Sequence, residues 1–124
     1  MATVLLYHVI GLKEAQLRLV CESLRINVRS VMESELHLPI GRLVGCDVSG
    51  GDIVPSSFDG EMLVMAHFSQ ALLDRFLQTY RQAGIEPVPL KAILTEHNQN
   101  WSSVALYREL QKENTLMLKK LGRG

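Results

Sequence analysis

At 124 residues the chain has the length of one domain, long enough to bury a sizeable core. Hydrophobic residues make up 47% and charged residues 21%, which excludes a disordered or fibrous chain. The 13 basic side chains balance the 13 acidic ones, so no net field draws the protein to nucleic acid or an anionic membrane. The same neutrality leaves little repulsion between copies of the chain.

Thr3 to Ile10 is a near-continuous apolar, β-branched run that reads as a strand buried on both faces. Gly11 breaks it, and Leu12 to Leu24 places Leu17, Val20, Cys21 and Leu24 on one helical stripe. Ile26 to Met32 alternates apolar and polar residues, as an edge strand does. Residues 33–60 form an irregular inserted loop, in which Pro39 limits any helix around Glu35 to Leu43 to a turn or two. Within it, Gly45 to Asp52 and Pro55 to Gly60 carry turn chemistry and read as flexible surface.

Glu61 to Phe68 is a second strand apolar on both faces. Ser69 is the expected N-cap of the next helix, with Leu72, Leu73, Phe76, Leu77 and Tyr80 on one face and Gly84 at its C-terminal end. Pro87 to Thr95 reads as an edge strand, and a last helix spans 101–121, capped near Asn100 or Ser102. In that helix Tyr107, Leu110, Asn114, Met117 and Leu121 follow a short heptad-like seam, with Lys119, Lys120 and Arg123 toward its end. Residues 1–124 read as a single domain, and no internal repeat is visible.

The expected fold is α+β: a ferredoxin-like βαββαβ sheet with an extra C-terminal helix. The alternative is an α/β four-stranded parallel sheet in the order 2-1-3-4. Both put strands one and three in the centre as parallel neighbours, which brings His8 and His67 together at one sheet end. His97 joins them only in the all-parallel sheet.

The candidate ligand-binding residues are Thr95, His97, Asn98, Asn100 and Trp101, with His8 and His67. Side-chain amides ahead of a helix N-terminus supply hydrogen-bond donors, and an indole supplies an apolar wall. The plain alternative is that Asn98, Asn100 and Ser102 cap the helix and the strand-end histidines satisfy backbone groups. No HxH or HExxH spacing supports a metal site, and no cofactor motif is present. Cys21 reads as a small buried hydrophobe, and no Cys–His pair or nucleophile elbow is visible, so catalytic residues are not assigned and the chain leans away from an enzyme.

Several segments carry a resemblance: TVLLYHV, IGRLVG at 40–45, EMLVMAHF, and LKAILTEHNQNW, in which Lys91, Ala92, Thr95, Asn98 and Trp101 form the most specific pattern. They resemble an uncharacterised bacterial family known as a domain of unknown function (3783-like). The resemblance implies bacterial origin and a stand-alone domain in the cytoplasm, and it carries over no functional residue. Met1 to Ile10 lacks the basic region of a signal peptide, and no apolar run approaches the roughly 20 residues of a membrane span. The expected function is a non-catalytic binding, regulatory or self-associating module, with a homo-oligomer or protein partner. The alternative is a small-molecule or metal site, possibly enzymatic, formed by the strand-end histidines and residues 95–101.

Overall fold

Four strands form one sheet in the order β2-β1-β3-β4: β1 (Thr3–Tyr7), β2 (Asn27–Ser30), β3 (Met62–Ala66) and β4 (Leu90–Ile93). The helices are α1 (Gly11–Ser23), α2 (Ile40–Leu43), α3 (Gln70–Gln82) and α4 (Ser103–Gly122), with a 3-10 turn at Glu33–Glu35. The computed structural model describes residues 1–122, with side chains described as far as Asn114. Met117, Leu121, Lys119, Lys120 and Arg123, which the expected helix seam and its basic end invoke, lie outside the described side chains. Among the described residues no helix is long and apolar enough to cross a membrane.

The strand order is the 2-1-3-4 of the alternative expectation, with β1 and β3 central as both expected, but the directions correct both topologies. β1 runs parallel to β2 and β3 parallel to β4, whereas the central pair β1–β3 is antiparallel. The sheet is therefore mixed, neither ferredoxin-like nor all-parallel. The link after β2 explains why. With β3 antiparallel to β1, the link leaves and re-enters the sheet at the same end, so it needs no helical crossover.

The chain divides into two compact units. The first comprises Met1–Met32 and Asp59–Thr95, the second Glu33–Phe58 and Glu96–Gly124. In the first, α1 and α3 lie on one sheet face. Val4, Leu6, Leu63 and Met65 point up to Leu17, Val20, Cys21, Phe76 and Tyr80 in a single core. The alternate residues Leu5, Tyr7, Met62, Val64 and Ala66 are buried as well, as expected for strands apolar on both faces. Each buried Leu, Val or Met among them contributes about 1.5–3 kcal/mol of burial. Ser69 caps α3 by accepting from the Leu72 amide at 3.1 Å, and Gly84, at φ +68°, takes the left-handed position just past the helix.

The same first unit is built twice. The spacing that carries Thr3 to Met62 also carries Tyr7 to Ala66, Gly11 to Gln70 and Ser23 to Gln82. Both first strands end at a histidine in the left-handed region, His8 at φ 61° and His67 at φ 62°. Both helices are followed by a left-handed residue, Arg25 at φ 58° and Gly84 at φ 68°. After an insertion at Glu86 to Pro89 the correspondence resumes: Thr3 pairs with Asn27 as Met62 pairs with Leu90. The Val31 amide donates to the Leu6 carbonyl as the Leu94 amide does to Met65. In the antiparallel pair, Leu5 lies opposite its own counterpart Val64, so a local two-fold passes between them.

The second unit repeats too. Glu33 to Pro39 and Glu96 to Ser102 trace the same run of turns, each opening directly into a helix, α2 or α4. The counterparts Pro39 and Ser102 form an antiparallel bridge with each other. The internal repeat that the sequence hides is thus present in the backbone of each unit.

Candidate functional site

The second unit holds a cleft of about 350 Å³ at the start of α4, lined by Gly51, Asp52, Asn100, Trp101, Ser102, Ala105 and Glu109. Ser102 is its pivot. Its hydroxyl accepts from the Ala105 amide at 3.0 Å, capping α4, and donates to Asp52 Oδ2 at 2.8 Å. Ser102 is itself buried, so the pair fixes Asp52 at the cleft wall. A carboxylate there also complements the positive end of the helix.

The loop that supplies Asp52, expected as surface, is tied down at its Gly-Gly-Asp run by backbone hydrogen bonds. The Gly51 amide donates to the Asn100 carbonyl and the Asp52 amide to the His37 carbonyl, each at 2.8 Å. Asn100 Nδ2 donates to the Ser49 carbonyl at 2.7 Å. Both glycines are required. A Cβ on Gly50 would meet the Asn100 oxygen at 2.3 Å, and one on Gly51 the His37 oxygen at 2.4 Å; both have positive φ. His37 and Asn100 are counterparts in the repeat, so the loop spans the bridge and its two amides bond to equivalent carbonyls of the two copies.

Of the candidates named from sequence, Asn100 and Trp101 line this cleft. His97 stands beside it, its ring edge-on to Trp101 at 5.3 Å between centroids, and the Asn98 carbonyl accepts from the Trp101 amide at 3.0 Å. Those two residues shape the turn rather than line the cleft. Thr95 is exposed at the end of the first unit.

The expected approach of His8 and His67 does not occur. His8 follows Tyr7, which faces Met62, and His67 follows Ala66, which faces Thr3. The two histidines sit at opposite ends of the antiparallel pair, six residues and so roughly 20 Å apart at about 3.3 Å per residue. His8 Nδ1 donates to the Gly60 carbonyl at 2.9 Å, the backbone role that strand-end histidines commonly fill. Among the described residues no three His, Cys, Asp or Glu side chains are placed to hold a metal ion.

Asp52, Glu109 and Gly51 were not singled out as site residues from sequence, and Ser102 was read only as a cap. The Gly-Gly-Asp run was the available signal, but nothing local says that it folds onto Asn100.

A second groove, of about 200 Å³, lies in the first unit between the end of α3 and β4. Lys91 lines it, donating to the Val88 carbonyl at 2.9 Å over the Tyr80 ring. Burial, with the charge of Lys13 second, holds the Lys91 amine below its usual range. Its counterpart groove at Arg18, Glu22 and Ile26 is lined by different charges.

With the geometry in place, the comparison with known families falls on one half of the chain. Residues 61–117 match a domain of unknown function, DUF3783. The Lys91 to Trp101 pattern lies inside the DUF3783 segment, while the resembling stretches at 3–9 and 40–45 lie outside it. No curated protein and no solved structure matches the chain. The DUF3783 segment begins at β3, runs through the first part of α4, and so contains one whole copy of the repeat.

Proposed function

We propose that the protein is a non-catalytic binding module whose ligand site is the cleft at the start of α4. The observation that carries this reading is the Asp52–Ser102 pair, which ties a distant loop to the helix start and leaves a carboxylate facing a roomy, indole-walled space. Asp52 and Glu109 give the lining an anionic character with no basic side chain among its residues. The chemistry that fits is a small ligand with a cationic nitrogen between the carboxylates and an apolar part against Trp101.

Trp101 is the chain's one tryptophan, so its fluorescence reports on the cleft directly. Titration with guanidinium, ethanolamine, putrescine and arginine methyl ester gives a saturable change for at least one of them. Asp52→Asn weakens that binding about tenfold to a hundredfold, the loss of a hydrogen bond to a charged group. A response equal in wild type and Asp52→Asn, or none at all, removes the reading.

One further observation favours self-association alongside ligand binding. Ile10, Leu12 and Leu19 are 78%, 74% and 65% exposed, and the latter two share the outer face of α1. A second copy of a chain without net charge is the partner such a stripe fits. Light scattering gives a dimer that Leu12→Glu with Leu19→Glu converts to a monomer; a monomeric wild type contradicts it.

A further inference from the structure

We infer that residues 61–107 are one complete copy of a self-pairing unit, that residues 2–44 are a second, diverged copy, and that the chain is a dimer fused through the 45–60 linker. The partner that each copy's pairing surface fits is another copy of the same unit.

Two independent sets of contacts carry this. In the first unit the antiparallel β1–β3 register is centred on the counterparts Leu5 and Val64, and Thr3–Ala66 and Tyr7–Met62 exchange across that centre. In the second unit the bridge joins the counterparts Pro39 and Ser102. A contact in which residue i of one copy meets its own equivalent on the other is isologous, the signature of a two-fold dimer rather than of a chance resemblance between neighbouring segments. Sheet and turns show it separately.

The surface itself is suited to pairing. β3 is buried along its whole length, and its β1-facing edge carries backbone groups that need a partner strand. Another β3 placed antiparallel about Val64 would set Leu63 opposite Met65 and Met62 opposite Ala66, apolar pairs throughout. The linker is the part that belongs to neither copy. Its Gly51 and Asp52 amides bond to the equivalent carbonyls of Asn100 and His37, so it seals one dyad and furnishes Asp52 to one side only. A family match that begins at residue 61 is what a fusion of two copies, one of them diverged, produces.

The test replaces residues 2–44 with a second copy of residues 61–107 and keeps the native linker. The symmetric chain is expected to melt cooperatively with the far-UV spectrum of the parent. Because such a variant can fail for reasons local to the junctions, a second measurement uses the native chain with a protease site between the exposed Val54 and Pro55. After cleavage, unfolding and refolding, native mass spectrometry should find pairs of two C-terminal fragments beside the original pairs of unlike fragments. The inference stands on either result. An unfolded symmetric chain together with unlike pairs alone, or with separated fragments, overturns it.

Discussion

The turn at 96–102 and its counterpart at 33–39 share a backbone path yet differ in almost every side chain. One carries Asn100, Trp101 and Ser102; the other carries His37, Leu38 and Pro39 at the same places. Ser102 caps α4 and holds Asp52, whereas Pro39 precedes α2 with no side-chain cap bond. The difference teaches that the repeated backbone is scaffold and that the candidate site comes from what one copy added to it. Substitutions at paired positions probe that division.

The largest effects belong to the scaffold and should appear in both copies. Phe76 and Leu17 are counterparts, both wholly buried in one core. Phe76→Ala costs about 3–5 kcal/mol and Leu17→Ala about 2–5 in thermal or denaturant unfolding. A cost below about 1 kcal/mol at either position would break the claim that the copies share one core.

Next comes the linker. Gly51→Ala forces a Cβ against the His37 carbonyl and should displace Asp52, weakening ligand response at Trp101 along with stability. Gly45, also at positive φ, has nothing within 4 Å of an added Cβ, so Gly45→Ala costs only the left-handed penalty of about 1–2 kcal/mol and leaves the cleft intact.

Smaller still is the exchange of caps. Ser102→Ala removes the α4 cap and the Asp52 bond together, about 1–2 kcal/mol. Pro39→Ser, which writes the other copy's residue into this one, should change stability by less than about 1 kcal/mol, since no Asp52 equivalent waits for it. Equal effects at the two positions would erase the asymmetry.

Cys21 and Tyr80 make a last contrast. The Tyr80 hydroxyl donates to the Glu86 carbonyl and accepts from the Val88 amide, holding the inserted residues before β4. Its counterpart Cys21 fills the equivalent core space with no such role, and burial pushes its thiol up to about 12, slightly offset by Arg18. The folded state keeps a proton that the unfolded chain releases near pH 9. That stability is complete below about pH 9 and is lost as pH rises toward 12. Cys21→Ala should flatten this alkaline slope, read by urea titrations across that range.

Much of the scaffold was legible because burial writes itself into composition. Runs such as VLLY and MLVMA can only be strands apolar on both faces, and Ser69 and Gly84 mark the ends of α3 by their own backbone chemistry. Strand direction was not legible. A doubly buried strand shows the same pattern whether its neighbour runs parallel or antiparallel, and the link that decides between them has no periodicity. The repeat was hidden for a related reason: identical residues recur only at His8 and His67, Ile26 and Ile85, Glu33 and Glu96, and Leu43 and Leu106. Core positions keep hydrophobicity while exchanging Leu for Phe or Cys for Tyr. Asn100 and Trp101 announced themselves as polar and aromatic residues before a helix, but Asp52 reaches the cleft through a tertiary fold of the linker that no local pattern encodes.

The most direct test of the cleft as a one-sided site is an amide-resolved NMR titration with whichever small cation perturbs Trp101. The account predicts shifts centred on Gly51, Asp52, Asn100, Trp101, Ser102 and Glu109, with Arg81 and Lys91 unmoved. Shifts centred on the Lys91 groove, or spread evenly over the surface, would contradict it.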